Sequence, residues 1–191
     1  ESGRGSDRYP VGDLFAQLKQ GSPALVVPHI GGRPANLAFH DPELEPVIEI
    51  YSAWGQFEWL LEEAIVRGYQ VGFSGGSDDH KGRPGASYPG SSSFGVYGGL
   101  TCVFAAELTR HSIWEALKAR RCYATSGQRI ALDVRAVDDA GKRRWMGEAF
   151  EMKDGKLSLH IEATGTQDIE EFLIVRGRPG EGIETIGRYP E

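Results

Sequence analysis

Gly76-Ser77-Asp78-Asp79-His80-Lys81-Gly82-Arg83-Pro84-Gly85 follows the short apolar run Gln70-Val71-Gly72-Phe73 and leads into a long Gly/Pro/Ser stretch. On an extended backbone residues i and i+2 point to the same side. Asp78 and His80 can therefore converge on one ion at the end of a strand. The stretch that follows has the composition of a site rim, with backbone free to approach a ligand. A bare Asp-x-His is common by chance, so its weight depends on what surrounds it.

Working outward, the residues from Asp13 to about Thr125 alternate helix and strand patterns. Val11 to Gln20 carries apolar residues at Leu14, Phe15 and Leu18, a helical spacing closed by Gly21. Ala24-Leu25-Val26-Val27-Pro28 is too short for a helix and reads as a strand buried on both faces, with His29 directly after it. A Gly/Pro/Asn loop runs to Phe39-His40, and Val47-Ile48-Glu49-Ile50-Tyr51 is the second strand. Phe57 to Arg67 reads as a helix ended by Gly68. The third strand leads to Asp78 and His80, Leu100 to Phe104 is a fourth, and Arg110 to Arg121 is another amphipathic helix. Such alternation implies a mainly parallel sheet, open or closed into a barrel. Ligands gather at the carboxyl ends of the strands in sheets of this kind. His29, Ser52 and the Asp78/His80 pair all fall just past a strand end.

From Ile130 onward the pattern is strand and turn. Ile130 to Val137 alternates apolar and polar residues, and Asp138-Asp139-Ala140-Gly141 reads as a hairpin turn. Lys153-Asp154-Gly155 is a second turn, between strands at Glu148–Met152 and Lys156–Thr164. Glu170–Arg176 supplies another strand, and Arg176 to Glu191 trails off in Gly and Pro. The expected organisation is an α/β unit over residues 1–128 and a small antiparallel β appendage over 129–191.

The 191 residues are 40% hydrophobic and 25% charged, a globular composition with net charge -6. That charge argues against a nucleic-acid partner held through phosphates. No apolar run is long enough to span a membrane. The polar start, Glu1 to Tyr9, lacks the order of a signal peptide and reads as a loop inside a larger protein. A soluble chain of the cytoplasm, or of a periplasmic or secreted compartment, fits equally well. Cys102 and Cys122 make neither a disulfide framework nor a zinc knuckle, and buried free thiols are expected. Trp59 and Trp114 have helical spacing with apolar neighbours and are expected in the core.

Of the five histidines, His160 and His111 read as structural. His29 closes a buried strand and would otherwise need another hydrogen-bond partner, so metal ligation is the stronger reading. His40 lies in a loop that can reach the same rim. Glu49 stands among β-branched residues, where a carboxylate is costly to bury unless paired with a cation or a metal. Arg83, just after His80, is placed either to bind an anionic substrate group or as an ordinary exposed arginine.

Four segments carry a resemblance when taken in order: Val27-Pro28-His29, Val47 to Ser52, Gly76 to His80, and Arg120-Arg121-Cys122-Tyr123-Ala124-Thr125-Ser126-Gly127-Gln128-Arg129-Ile130. Together, over about Asp13 to Met146, they resemble the later motifs of the PHP (polymerase and histidinol phosphatase) metallohydrolases, and most the carbaryl-hydrolase-like branch. The resemblance implies the second half of a distorted (β/α)7 TIM-like barrel followed by the β appendage. It implies divalent metal ions, zinc, manganese or iron, with His29, Asp78 and His80 as ligands and Glu49 near the site. The family's opening His-x-His and a further Asp-His pair are absent from this sequence, and Ile30 stands where the branch usually has a second histidine. The chain is therefore expected to be the carboxyl-terminal part of a longer enzyme, or to carry a decayed site.

By the same resemblance the substrate is a small molecule, and the reaction is hydrolysis by metal-activated water. A phosphate ester is the first substrate class and an amide, carbamate or carboxyl ester the alternative. A non-catalytic binding or structural module with a degenerate metal site is the competing reading.

Overall fold

Prolines decide how the chain enters its first strand pair. The computed structural model describes residues 9–31, 35–91, 93–138, 140–152 and 155–190. The apolar run Ala24–Pro28, expected as a strand, forms no ladder. Its ties to neighbours are Val26 N–H to Leu44 O at 2.8 Å and Glu49 N–H to Pro28 O at 3.1 Å. Pro23 and Pro28 have no N–H to give, which breaks the donor pattern a regular strand needs.

Helix α1 (Val11–Gln20) ends where Gly21 N–H returns to Leu18 O. After it come β1 (Val47–Ser52), the two-residue β2 (Gly55–Gln56), α2 (Glu58–Val66) and β3 (Gly72–Gly75). Then follow β4 (Leu100–Val103), α3 (Arg110–Lys118) and β5 (Cys122–Thr125). Thr109 caps α3 by accepting from Ser112 N–H. The remaining elements are strands: β6 (Ala131–Val137), β7 (Arg143–Trp145), β8 (Ser158–Thr164), β9 (Phe172–Arg178) and β10 (Gly182–Tyr189).

These strands make four small sheets, ordered β2-β1-β3, β4-β5, β7-β6-β8 and β10-β9. This overturns the expected TIM-like barrel. Such a barrel is all-parallel and closed, whereas β1 and β3 form the one parallel pair among the described residues. At the carboxyl end of β1 the antiparallel β2 pairs through Tyr51 with Gln56 and Ser52 with Gly55. A further parallel strand cannot use that edge. β3 meets β4 through Thr101 Oγ1, which accepts from Gly75 N–H at 3.0 Å and donates to Gly75 O at 2.7 Å. Glycine at position 75 allows this close approach, since a Cβ there would lie 3.0 Å from Leu100 O and 3.1 Å from Thr125 O, tighter than an ordinary contact.

The core beside these strands is Ile30, Leu37, Ile48, Leu60 and Ala64, with Ile48 and Leu60 fully buried. Burial of a side chain of that size stabilises by about 1.5–3 kcal/mol. Trp59, expected in the core, is 49% exposed because α2 turns Leu60 and Ala64 inward instead. Trp114 is half-buried.

In the second half β6 pairs on both sides, with β7 and with β8. The expected strand at Glu148–Met152 does not form, and β7 takes the pairing position. The tail expected to be irregular contains β10, which pairs along β9 with a bulge between Thr185 and Gly187. The β9–β10 hairpin packs on α2, where Gly180 N–H bonds Val66 O at 2.8 Å. Glu1 to Arg8 of the expected leading loop, and the turn residues Asp139, Lys153 and Asp154, lie outside the described residues. No helix of the described residues is long and apolar enough to cross a membrane.

Candidate functional site

Three segments meet where β1 and β3 end. The bond from Glu49 N–H to Pro28 O holds the residue after Pro28 beside Glu49. His29 Nδ1 then lies 2.5 Å from Glu49 Oε1. Its other nitrogen, Nε2, faces Asp78 Oδ2 at 3.3 Å. His80 Nε2 stands 3.3 Å from the second oxygen, Asp78 Oδ1. Asp78 reaches this position with φ +44°, a left-handed conformation that a non-glycine residue adopts only under constraint.

Each contact orders a group. Glu49 fixes the plane of His29 and aims Nε2 at Asp78, the arrangement by which a carboxylate orients a ligating imidazole. Burial pushes the Glu49 carboxyl above its ordinary value; the His29 hydrogen bond and charge oppose this, and Asp78 adds to it. The indole N–H of Trp54 donates to Asp78 Oδ2. Trp54 sits in the Ala53–Trp54 turn between β1 and β2, braced by Trp54 N–H to Ser52 Oγ at 3.2 Å.

The rim loop after His80 is pinned from both sides. Ser93 N–H donates to Asp79 Oδ1 at 2.9 Å, and this bond holds the Asp79 carboxyl below its usual range. Phe94 lies edge-on to His80 with centroids 5.2 Å apart, and tilted against Trp54 at 5.0 Å. Lys81 Nζ and Arg83 Nη2 both donate to Ser91 O, at 2.5 and 3.2 Å.

The structure thus brings His29, Glu49, Asp78 and His80 together and leaves Arg83 on the rim. His40 does not join them. Its Nδ1 is 3.0 Å from Glu45 Oε2, its ring stacks on Tyr69 at 4.3 Å, and its side chain is 3% exposed. It is a satisfied core histidine. Cys102 is exposed, against expectation, while Cys122 is buried and its thiol is pushed up to about 11, chiefly by that burial.

The donor chemistry and spacing suit a divalent cation in pairs. Two ligands at about 2.0–2.1 Å in a tetrahedral site lie about 3.3 Å apart, the separation found for His29 with Asp78 and for Asp78 with His80. Gly31 keeps the approach open, since a Cβ there would stand 2.7 Å from His29 Nε2 and 3.5 Å from Asp78 Oδ2. The two histidines face different oxygens of Asp78. Among the described residues, no group of three or more His, Cys, Asp or Glu donors is arranged around one ion.

Sequence reasoning missed Trp54, Phe94 and Gly31. Trp54 had a signal, a large aromatic in a turn directly after a strand that carries a site residue. Nothing in the sequence distinguishes Phe94 or Gly31 from their loop neighbours.

A family described as "Protein of unknown function (DUF3604)" matches residues 88–153, from the rim loop through β7 and not the segments that carry His29, Glu49, Asp78 and His80. An uncharacterized protein of Chlamydia muridarum is 35% identical over 178 residues, covering 80% of this chain and 27% of that protein. An uncharacterized protein of Chlamydia trachomatis is 36% identical over 118 residues, covering 50% of this chain and 18% of that protein. No solved structure matches. The chain spans about a quarter or less of the length of the curated relatives it matches.

Proposed function

We propose that the chain carries part of a metal-dependent hydrolase site of the PHP type, acting on a phosphate ester. The carrying observation is the His29–Asp78–His80 array, with both histidines 3.3 Å from one carboxylate and His29 oriented by Glu49. The ordered motifs that resemble the PHP metallohydrolases support the same reading.

His29 Nε2, Asp78 and His80 Nε2 would hold the cation, zinc, manganese or iron, with its remaining donors from solvent or substrate. A bound divalent cation supplies Lewis acidity and lowers the pKa of a coordinated water. The chain's own groups do the rest. Glu49 holds a proton between itself and His29 Nδ1, leaving Nε2 with its lone pair toward Asp78. Trp54 N–H fixes the rotamer of Asp78. His80, 61% exposed, would leave its side of the cation open to a substrate. Lys81 and Arg83, gathered on Ser91 O at the rim, favour an anionic phosphate ester over an uncharged amide, carbamate or carboxyl ester.

The competing reading is a binding module with a degenerate site, and the lack of a three-donor group among the described residues favours it. Titrating the chain with Zn2+ and Mn2+ by calorimetry, and assaying bis(p-nitrophenyl) phosphate beside an aryl carbamate with the metal-loaded full-length protein, separates the readings. Micromolar or tighter metal binding lost in Asp78→Asn, with turnover of the phosphodiester, is expected. Metal binding without turnover of either substrate favours the binding module. Absence of metal binding removes the hydrolase proposal.

A further inference from the structure

Trp54 is 46% exposed although its N–H is committed to a site carboxylate. An indole held this way presents its ring, not its polar edge, to solvent. The two-residue turn that carries it is braced by Ser52 and closed by the strand pair Ser52 with Gly55. Phe94 approaches it from a segment forty residues away in sequence. Their centroids are 5.0 Å apart at 54°, a tilted contact that leaves a ring face of each uncovered by the other. Phe94 is held in turn by the Ser93–Asp79 hydrogen bond and by its edge-on contact with His80.

Two apolar rings are thus fixed at the mouth of the site. Trp54 touches Asp78, Phe94 touches His80, and each ring keeps part of its surface open. A sealing contact would bury both rings. A pair left half-open beside charged groups suits a flat apolar guest that completes the stack.

We infer that Trp54 and Phe94 form a subsite for a planar aromatic ring on the substrate, next to the group held by Asp78 and His80. The inference rests on the hydrolase reading above and narrows it to aryl esters. Alkyl esters would forgo the ring contact. The two residues have separable parts: the Trp54 N–H positions Asp78, whereas Phe94 contributes only apolar surface.

The test uses non-hydrolysable probes and a readout apart from turnover. The chain contains four tryptophans, Trp54, Trp59, Trp114 and Trp145, so a nitrogen-15 spectrum gives four indole signals. Trp54→Phe identifies the Trp54 signal. Phenylphosphonate and methylphosphonate are titrated into the Zn2+-loaded chain. The Trp54 signal is expected to move with phenylphosphonate, which binds roughly 3- to 10-fold tighter than methylphosphonate. Phe94→Leu is expected to abolish that preference. Trp54→Phe is expected to keep the preference and weaken Zn2+ binding. Three undisturbed indole signals in Trp54→Phe, and four in Phe94→Leu, report that each variant folds. Equal affinity for the two phosphonates, or a Trp54 signal that phenylphosphonate leaves in place, overturns the subsite and leaves the hydrolase reading standing. Failure of both phosphonates to bind overturns the hydrolase reading and the subsite with it.

Discussion

Replacing Gly31 with alanine perturbs the candidate centre with a single carbon. The new Cβ would stand 2.7 Å from His29 Nε2, 3.3 Å from His29 Cδ2 and 3.5 Å from Asp78 Oδ2. Gly31 is not among the glycines with positive φ, so the backbone accepts alanine and what glycine supplies is clearance. To restore an ordinary contact near 3.4 Å, Nε2 must retreat by about 0.7 Å. That is several times the tolerance of about 0.2 Å on a metal–ligand distance. The imidazole cannot swing freely, because Nδ1 is tied to Glu49 Oε1 at 2.5 Å. A charge-assisted bond of this kind contributes about 1.5–3 kcal/mol. Either that bond or the ligand position must yield, so Zn2+ affinity is expected to fall about 10- to 100-fold. Chain stability moves much less. Alanine lowers the entropy of the unfolded chain by the equivalent of about 0.4–1 kcal/mol, which offsets part of the clash. Competition with a fluorescent zinc chelator measures the affinity, and a melt in excess chelator measures stability. Gly12→Ala is the control, since a Cβ there meets nothing within 4 Å. Zinc binding by Gly31→Ala as tight as by the unaltered chain would refute the assignment of His29 Nε2 and Asp78 to one cation.

Three further outcomes bear on the fold around the site. Native thiol labelling should modify Cys102 quickly and Cys122 only on unfolding, since Cys122 is buried with its thiol pushed up to about 11; two fast thiols would contradict the packing of β5. The Asp138 carboxyl is held below its ordinary 3.8, first by Lys142 N–H and then by Arg144, against the cost of burial. It therefore stabilises the fold above about pH 4 and that contribution fades as pH falls through its folded value, so denaturant midpoints of Asp138→Asn should trail at pH 7 and converge with the parent in acid. His40→Leu leaves the buried Glu45 carboxylate short of a partner and should lower stability by about 1–3 kcal/mol with zinc affinity intact; a parallel loss of zinc binding would return His40 to the site.

Elements that take their shape from their own residues were legible in the sequence. The Val11–Gln20 helix, Val47–Tyr51 and Ile130–Val137 appear within a residue of their expected bounds, because periodicity and glycine stops act locally. The errors fall where a partner decides. Ala24–Pro28 has the apolar residues of a buried strand but lacks the donors that a ladder demands. Gly182–Tyr189 reads as irregular, yet β9 supplies hydrogen bonds and Gly187 packs against Ile174, 3.3 Å from where its Cβ would be. The barrel failed for the same reason at larger scale. Alternating helices and strands carry no record of strand direction, and the two-residue β2, invisible as a pattern, occupies the edge of β1 that a barrel would extend.

The site divides along the same line, between donors and what aims them. Donor chemistry is written in residue type, so strand ends and spacing made His29, Asp78, His80 and the mid-strand Glu49 candidates, and the resemblance added that the first three would be ligands. Aim is written in contacts between distant segments. His29 points at Asp78 because Glu49, twenty residues on, holds its other nitrogen, and Asp78 accepts a left-handed φ because Trp54 and His29 claim its oxygen. His40 shows the converse, with the right residue type in a suitable loop and a pairing to Glu45 and Tyr69 that removes it from the rim. The groups that orient and enclose, Trp54, Phe94 and Gly31, are apolar or lack side chains, and their chemistry exists only in the folded arrangement. On the proposed reading, substrate preference is carried by residues that ligate nothing, so Phe94 variants should alter which ester binds, whereas Trp54 variants act first on the metal, through Asp78.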